Sequence, residues 1–161
     1  MIKQPFKPVY NEESRILILG SFPSVKSRED GFYYGHKQNR FWKVVAGILN
    51  VEVPKTIDEK KEMLTNHRIA IWDVIESCDI TGSADSSIKN VVPADVPWLL
   101  SQTKINKVYV NGTLAKKLYD RYIVGKTGVD GVWLPSTSPA NARYNLEMLI
   151  ESWKIVHWED C

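Results

Sequence analysis

Cysteine is almost absent from this chain of 161 residues, since Cys78 and Cys161 are the only two. Two cysteines are too few for a cysteine-ligated iron–sulfur cluster or a disulfide framework, so we expect reduced thiols and an intracellular, cytoplasmic protein. The three histidines, His36, His67 and His157, are isolated, and no pair has the close spacing of a zinc site. We therefore expect a protein that works without a metal or another cofactor.

Long hydrophobic runs are missing as well. No run approaches the about 20 apolar residues that cross a membrane, and residues 1–10 contain two prolines but no apolar core of a signal peptide. We expect no membrane association. The length suits a full hydrophobic core, and we expect a single domain over residues 1–161 that acts as a monomer.

A large net charge is also absent, because the formal charge at pH 7 is only +2. The distribution of charge is more informative. Residues 24–43 hold five cations against two acids, and residues 104–126 hold six cations against Asp120 alone. This pattern favours a basic face for a nucleic-acid partner, although several of these lysines suit ordinary solvated helix positions.

What the chain does contain is an alternation of short apolar runs with helical patterns, which is typical of β–α units around a parallel sheet. Four strands are predicted, at Ile16–Gly20, Ile69–Asp73, Lys107–Asn111 and Val132–Pro135. Helical faces are predicted within 41–49 (closed by Asn50), 114–122 (capped by Thr113) and 146–153, with shorter candidates at Ile57–Asn66 and Val96–Gln102. Pro97 weakens the last of these, and the polar segment Cys78–Asn90 is predicted to be a long loop. The expected fold is an α/β, three-layer α/β/α sandwich with a central, mainly parallel four-stranded sheet.

Two short polar stretches follow the first and last predicted strands. They are Gly20-Ser21-Phe22-Pro23-Ser24 and Ser136-Thr137-Ser138-Pro139-Ala140-Asn141. Because ligands bind at the carboxyl ends of the strands in an open parallel sheet, we expect these loops to form opposite walls of one pocket. Residues 33–42 mix aromatic, amide and cationic groups without an aliphatic residue, which suits a flat polar ring beside a phosphate.

Three residues near these loops have two interpretations each. Asn39 caps a helix that begins at residue 40 or 41, or it serves the pocket, and a capping residue at a pocket edge can do both. Phe22 is a core residue or a stacking platform for a base. Asp73 caps the segment that follows it, which we favour, or it contacts the edge of a base.

Other catalytic motifs are weak in this chain. Gly125-Lys126-Thr127 resembles the end of a phosphate-binding P-loop, but Asp120 stands where the partner glycine belongs, so we predict a plain loop before the last strand. No Gly-x-Ser-x-Gly elbow occurs, and a Ser–His–Asp triad assembled from distant residues stays open.

Together these stretches resemble the uracil-DNA glycosylase superfamily. In that superfamily a Gly-x-x-Pro loop follows the first strand and a Ser-Pro loop follows the last, here Gly20–Pro23 and Ser138-Pro139. The strand Val108–Asn111 with Gly112 after it also resembles the third strand and turn of the superfamily. With residues 32–42 in between, the order of motifs is most similar to the hypoxanthine-DNA glycosylase (DNA-deoxyinosine glycosylase) branch, over residues 16–153.

The resemblance implies a monofunctional DNA glycosylase that hydrolyses the N-glycosidic bond of a flipped deaminated base, preferentially hypoxanthine, in base excision repair. It places the catalytic asparagine at Asn39, whose carbonyl oxygen would orient water while its amide donates. The Asp and His of the best-known uracil enzymes are missing, because Phe22 or Ser21 and Ser136 stand at the matching positions. The implied substrate contacts are Gly20, Ser21, Phe22, Pro23, Asp73 and Asn111. The implied DNA contacts are Ser24, Lys26, Arg40, Ser136, Thr137, Ser138, Pro139, Ala140 and Asn141, with Ala140, Asn141 or Arg143 as the intercalating wedge.

Three alternatives stay open at this point. The protein is a uracil- or mismatch-directed DNA glycosylase, a catalytically inactive nucleic-acid-binding module on the same fold, or, least expected, a nucleotide or small-ester hydrolase. The predicted partner in the first two cases is still DNA.

Overall fold

The computed structural model describes residues 1–157, and residues 158–161, Cys161 among them, lie outside the described part. The strands are β1 (Ile2–Lys3), β2 (Ile16–Gly20), β3 (Ile69–Asp73), β4 (Ile75–Asp79), β5 (Lys89–Pro93), β6 (Lys107–Asn111) and β7 (Gly131–Leu134). The helices are α1 (Val25–Asp30), α2 (Phe41–Leu49), α3 (Ile57–Asn66), α4 (Val96–Ser101), α5 (Thr113–Tyr122), α6 (Val124–Thr127) and α7 (Leu146–Trp153). None of the helices within residues 1–157 is both long and apolar enough to cross a membrane.

The central sheet has four parallel strands in the order β3-β2-β6-β7. Every residue of β2 is buried, because helices cover both faces of the sheet. Since successive side chains of a strand point to opposite faces, Ile16 and Ile18 join one core with α2 and α7, whereas Leu17 and Leu19 join a second core with α4 and α5. The expected three-layer α/β/α sandwich is confirmed.

The predicted strands are correct except at the last one, which lies one residue earlier than expected. Val132–Pro135 was predicted and β7 is Gly131–Leu134. Pro135 has no backbone N–H to donate to a neighbouring strand, so the ladder ends before it. Asn50 closes α2 as predicted, in the left-handed conformation with φ +57°.

The start of α5 and the effect of Pro97 on α4 differ from the prediction. Thr113 is the first residue of α5 rather than its cap, and Gly112 takes the capping position with φ +99°. A side chain on Gly112 would also meet the Cβ of Ser136 at 3.1 Å, so the turn and the last loop pack closely there. Pro97 does not weaken α4, because it lies in the first turn, where a backbone N–H has no helical acceptor, and Asp95 caps the turn.

The segment Cys78–Asn90 is not one long loop. Its ends belong to β4 and β5, which form a three-stranded sheet with β1 in the order β1-β4-β5. A short 3₁₀ turn, Asp85–Ser87, lies between them. The mostly exposed β5 shows no alternation of buried and exposed apolar residues, and its strand conformation depends on backbone pairing with β4. Likewise Gly125-Lys126-Thr127 is not a plain loop but part of the single-turn helix α6, which Gly128 ends at φ +68°.

Candidate active site

The carboxyl ends of β2, β3 and β6 meet the loop after β7 around a cavity of about 540 Å³. This volume lies in the range of small-ligand sites. The two polar loops form facing walls, as predicted. The predicted site residues that line the cavity are Gly20, Ser21, Phe22, Pro23, Ser24, Asn39, Asp73, Asn111, Ser136, Thr137, Ser138, Ala140 and Asn141. Lys26, Arg40 and Pro139 do not line it.

Arg40 holds the loop after β7 in place. Its guanidinium donates to the carbonyl oxygens of Ser138 (2.8 Å), Asn141 (3.1 Å) and Tyr144, and its backbone N–H and Nε donate to the carbonyl of Thr137. A guanidinium has five rigid donors and no acceptor, so it suits a loop whose carbonyls converge. Arg40, which was predicted to contact DNA, therefore serves to hold this loop in its shape.

Asn39 is joined to the last loop and to β6 by a directed chain of hydrogen bonds. The Thr137 backbone N–H donates to Asn111 Oδ1 (3.1 Å), which leaves Asn111 Nδ2 to donate to Thr137 Oγ1 (3.1 Å). The Thr137 hydroxyl, with its oxygen accepting, then donates to Asn39 Oδ1 (2.9 Å). The expected role of Thr137 was a contact with DNA, but this residue is fully buried and its hydroxyl positions Asn39 instead.

The orientation of the Asn39 amide follows from these bonds. Its Oδ1 also accepts from the Phe41 backbone N–H at 2.9 Å, in the first turn of α2. Both lone pairs of Oδ1 are thus in use, and Nδ2 has no acceptor among residues 1–157. The capping and pocket interpretations of Asn39 are compatible, but the group available to a substrate is the N–H donor rather than the carbonyl.

A buried carboxyl lies at the floor of the cavity, at the end of β3. Asp73 is 3% exposed and accepts a hydrogen bond at Oδ2 from the side chain of Gln4. Burial raises the pKa of Asp73 to about 7, and the Gln4 hydrogen bond opposes this shift. Gln4 comes from the N-terminal segment, and no feature of the sequence pointed to it.

Tyr34 is a second floor residue, which lies in the stretch 33–42 but was not predicted as a site residue. Its ring stacks on Phe41 with centroids 4.0 Å apart, and its hydroxyl is sealed from solvent beside the Asn111 side chain, without a hydrogen bond of normal geometry in residues 1–157. A Cβ on Gly20 would meet Asp73 Oδ1 at 2.6 Å and Tyr34 Oη at 2.8 Å. Only glycine therefore fits at residue 20. In the sequence, the sign of this close packing is that a glycine ends β2.

The wall beside Phe22 comes from the connection between β4 and β5. Phe22 is half-buried, with the Arg28 guanidinium 5.7 Å from its ring centroid. Arg28 donates to the Gly82 carbonyl and Ser83 Oγ accepts from the Val25 backbone N–H, so this connection is fastened to α1. The connection between β4 and β5 therefore helps to enclose the pocket.

The last loop keeps its serine hydroxyls available. Ser136 Oγ and Ser138 Oγ accept backbone N–H groups of their own loop at 3.1 and 3.2 Å, so each can still donate its own proton outward. Asn141 Nδ2 donates to the Ser136 carbonyl, which turns this predicted wedge residue back into the loop. Ala140 and Arg143 are exposed.

Ser24 and Lys26, which were also predicted to contact DNA, both interact with residues of α1. Ser24 Oγ accepts the Ser27 backbone N–H at 3.1 Å and caps the helix. Lys26 lies 3.7 Å from Asp30 and 3.9 Å from Glu29, in exposed ion pairs of its own helix. Exposed pairs of this kind are weak and do not fix the lysine in place.

Residues 7–160 match the sequence model of the uracil DNA glycosylase superfamily. The chain belongs to the uracil-DNA glycosylase superfamily. Its Gly-x-x-Pro loop and its Ser-Pro loop face each other across the cavity, at the positions where the resemblance placed them. At the positions that correspond to the Asp and His of the best-known uracil enzymes, this chain brings Phe22 or Ser21 and Ser136 to the two walls, and none of these is a base or an imidazole.

Individual relatives within the superfamily are similar over most of the chain. The hypoxanthine DNA glycosylase of Methanosarcina acetivorans is 35% identical over 147 residues, 90% of this chain and 92% of that protein. The hypoxanthine DNA glycosylase of Methanosarcina barkeri is 36% identical over 91 residues, 56% of this chain and 58% of that protein. The solution NMR structure of a candidate uracil DNA glycosylase from M. acetivorans has a TM-score of 0.82 and 33% identity, and covers 97% of this chain and 96% of its own.

Substitution of Asp73 by Asn will stabilise the protein at alkaline pH. The folded-state pKa of about 7 lies above the ordinary value of 3.8, so the folded state binds the proton more tightly and wild-type stability falls as the pH rises from about 4 to 7. The gain of Asp73→Asn will grow over the same interval and stay constant above it, reaching a few kcal/mol at about 1.4 kcal/mol per pKa unit. Urea unfolding at pH 4, 6 and 8 measures this.

Asp79→Asn is the control. The Asn90 hydrogen bond and the N-terminal amine lower the pKa of Asp79, so we expect this variant to lose stability relative to the wild type as the pH rises. A gain for Asp73→Asn that is the same at pH 4 and pH 8 would contradict the prediction.

Substitution of Gly20 by Ala will distort the floor of the pocket. Gln4 restrains Asp73 and Phe41 restrains Tyr34, so neither group can move aside freely from the added methyl. We expect a loss of about 1–3 kcal/mol in unfolding free energy, as for other overpacked sites. Gly125→Ala is the control, because nothing lies within 4 Å of its added Cβ; equal effects of the two substitutions would show that the floor is not tight.

Proposed function

We propose that this protein is a monofunctional DNA glycosylase that removes hypoxanthine from DNA in base excision repair, with Asn39 as its catalytic residue. The observation that carries the proposal is the Asn39 amide, which is held at the cavity wall with its Nδ2 donors unused. Superfamily membership and relatives named hypoxanthine DNA glycosylases support it. All groups of the site come from one chain, so we also propose that one copy is sufficient.

The chemistry fits a neutral residue. Cleavage of the N-glycosidic bond places positive charge on the sugar and negative charge on the departing base. An amide does not take a proton near neutral pH, so Asn39 contributes by positioning and by a preorganised dipole rather than as a general base. Its Nδ2 would donate to the oxygen of the attacking water, whose remaining lone pair forms the new bond to the sugar C1′. The bond from C1′ to the base nitrogen breaks, and the proton that the water loses would pass to the departing base or to solvent.

The wall formed by the first loop would hold the departing base. Phe22 lines the cavity, and its backbone N–H finds no acceptor within residues 1–157. This donor could stabilise the negative charge that develops on the base, while the Phe22 ring stacks on it. The base must leave the duplex stack first, which costs least for a damaged or mismatched nucleotide.

The absence of an amine nucleophile supports a monofunctional reaction. Among the described residues no lysine lines the cavity, so no amine is in place to form a Schiff base with the sugar and cleave the strand. The product would be an intact strand with an abasic site.

The DNA strand would lie along the rim of the last loop. The hydroxyls of Ser136 and Ser138 would donate to phosphates, and the exposed Arg143 would supply charge or fill the space of the flipped base. Lys26 would extend this surface. Ser24, whose hydroxyl donates to Ser27 Oγ, would contribute by capping α1, and Arg40 and Thr137 by holding the last loop in shape.

Asn39→Ala and Asn39→Asp will both abolish release of hypoxanthine. An aspartate still accepts from Phe41 and Thr137 but has no N–H to donate, so we expect each variant to lose at least roughly 100-fold in rate. Duplexes that contain deoxyinosine, uracil, xanthine or a G·T mismatch are incubated with the protein, treated with alkali and resolved on a denaturing gel. Unchanged melting temperatures will show that both variants fold.

The exposed neighbour Gln38 provides the control, since Gln38→Glu adds the same charge without touching the cavity. Near-wild-type release by Asn39→Ala would remove Asn39 from catalysis, and activity in Asn39→Asp alone would assign the role to an acceptor. Faster release of uracil than of hypoxanthine by the wild type would favour the uracil-directed alternative, and no release of any base would favour an inactive binding module.

Arg143→Ala will weaken binding to DNA that carries a stable abasic-site analogue. Loss of one phosphate contact lowers the slope of log K against log salt concentration by about one. Fluorescence anisotropy from 50 to 300 mM salt measures the slope, with Lys55→Ala, an exposed cation away from the cavity, as the control. Identical slopes for Arg143→Ala and the wild type would exclude a phosphate contact.

A further inference from the structure

Asn111 ends β6 and lines the cavity between the two facing loops. The resemblance implied a substrate contact for this residue, but the hydrogen bonds of its side chain go to the last loop. Its Oδ1 accepts the Thr137 backbone N–H and its Nδ2 donates to Thr137 Oγ1, each at 3.1 Å. Asn111 is therefore bound to Thr137 through both ends of its amide.

Backbone groups fix the direction of the hydrogen bonds that lead from Asn111 to Asn39. The Thr137 N–H requires an acceptor on Asn111, and the Phe41 N–H requires an acceptor on Asn39. Between them, the Thr137 hydroxyl accepts from Asn111 Nδ2 and donates its single proton to Asn39 Oδ1 at 2.9 Å. The direction of each bond in this hydrogen-bond chain thus agrees with both ends, and Asn39 Nδ2 is the donor that remains available.

The hydrogen-bond chain needs one acceptor and one donor at residue 111. A neutral amide offers both, whereas a carboxylate offers only acceptors and an aliphatic side chain offers neither. A carboxylate would attract the Thr137 proton to itself and turn an oxygen lone pair toward Asn39 Oδ1. Two acceptor oxygens 2.9 Å apart repel each other, so Asn39 would leave its present orientation.

Strand β6 gives the hydrogen-bond chain a rigid origin. It lies inside the sheet between β2 and β7, and beside Asn111 the Gly112 N–H donates to the Leu134 carbonyl at 2.9 Å. Asn39 and Thr137 lie outside the helices and strands, in connections that depend on such contacts. A side chain on a strand is held more precisely than one on a loop. Asn111 therefore relates the position of Asn39 to that of the sheet.

We propose that Asn111 is the positioning residue for catalysis by Asn39. Its amide sets the direction of the hydrogen bond that Thr137 donates, and thereby keeps Asn39 Nδ2 turned toward the attacking water. This inference rests on the proposed function, in which Asn39 is the catalytic residue. It assigns Asn111 to the reaction through Thr137 rather than through a contact with the base.

The test measures single-turnover release of hypoxanthine from a deoxyinosine duplex, with the protein in excess. The maximal rate reports the chemical step, and the protein concentration at half the maximal rate reports DNA binding. We expect Asn111→Asp and Thr137→Val each to lower the maximal rate at pH 8 by about tenfold or more, because each leaves a polar group of the hydrogen-bond chain without its partner. The half-maximal concentration will stay within about threefold of the wild-type value, since a loss confined to the chemical step leaves binding intact.

Two further variants separate the hydrogen bonds from other effects of substitution. Thr137→Ser keeps the hydroxyl and removes only a methyl group, so we expect it to retain most of the maximal rate. Asn106→Asp is the matched control for charge, because this exposed residue directly precedes β6 and does not line the cavity. Its rate should equal that of the wild type.

Acid will restore the rate of Asn111→Asp. A protonated carboxyl has one acceptor oxygen and one O–H donor, as the amide has, and burial raises the pKa of a carboxyl. The rate of Asn111→Asp divided by the wild-type rate will therefore rise as the pH is lowered from 8 to 5. Division by the wild-type rate removes the effect of Asp73, whose pKa of about 7 falls within this interval. The other ionisable side chains that line the cavity are also common to both proteins and are Tyr33, Tyr34, Asp85, Arg143 and Tyr144.

A wild-type maximal rate in folded Asn111→Asp at pH 8 or in folded Thr137→Val would overturn the inference. Equal losses in Thr137→Val and Thr137→Ser, or a ratio for Asn111→Asp that does not rise in acid, would also overturn it. If Asn111→Asp does not fold, the two Thr137 variants decide. Normal release by Asn39→Ala, or a wild type that releases no base, contradicts the proposed function instead, so the two failures are distinguishable.

Discussion

The site depends on the hydrogen bonds by which Arg40 holds the loop after β7. Arg40 precedes α2, and its guanidinium collects carbonyl oxygens from residues about 100 positions later in the chain. Two of these carbonyls, those of Ser138 and Asn141, also accept the turn N–H groups of Asn141 and Tyr144, so the guanidinium joins consecutive turns of the loop. The same loop carries Thr137, which orients Asn39, so the cation acts on the chemistry through the shape of the backbone. Positive charge in this region of the sequence therefore has a structural use before any contact with DNA.

The polar groups around the cavity are mostly neutral, and their directions are determined by backbone groups. A backbone N–H can only donate, so Thr137 N–H fixes the amide of Asn111, Phe41 N–H fixes that of Asn39 and Phe6 N–H fixes that of Gln4. Neutral dipoles avoid the large desolvation cost of buried charges. Asp73 is the buried exception, whereas the charged Asp85 and Arg143 at the cavity are exposed, and the raised pKa of Asp73 records that cost. Such a site suits a reaction in which charge develops only in the transition state.

Most of the fold could be predicted from the sequence because the central strands are buried on both faces and the helices carry one apolar face. The β1-β4-β5 sheet could not, because β5 is mostly exposed and its conformation depends on pairing with β4 rather than on a hydrophobic pattern. Helix α5 begins one residue earlier than predicted. Gly112 takes the capping position there, because Ser136 approaches residue 112 so closely that a side chain would not fit. Local patterns thus predicted the elements that hydrophobic burial forms, and missed those that backbone pairing and close contact form.

For the candidate site, the sequence by itself determined the two facing loops, the superfamily and the position of Asn39, because these depend on short motifs at the ends of apolar strands. The tertiary structure alone decided which polar group each side chain contacts. Gln4 meets Asp73 across 69 residues, and Asn39 meets Thr137 across 98. Hydrogen bonds act over about 3 Å, and only the folded chain brings groups so far apart in sequence within that distance. The roles of Gln4, Tyr34 and Arg40 follow from those distances, which no local pattern of residues encodes.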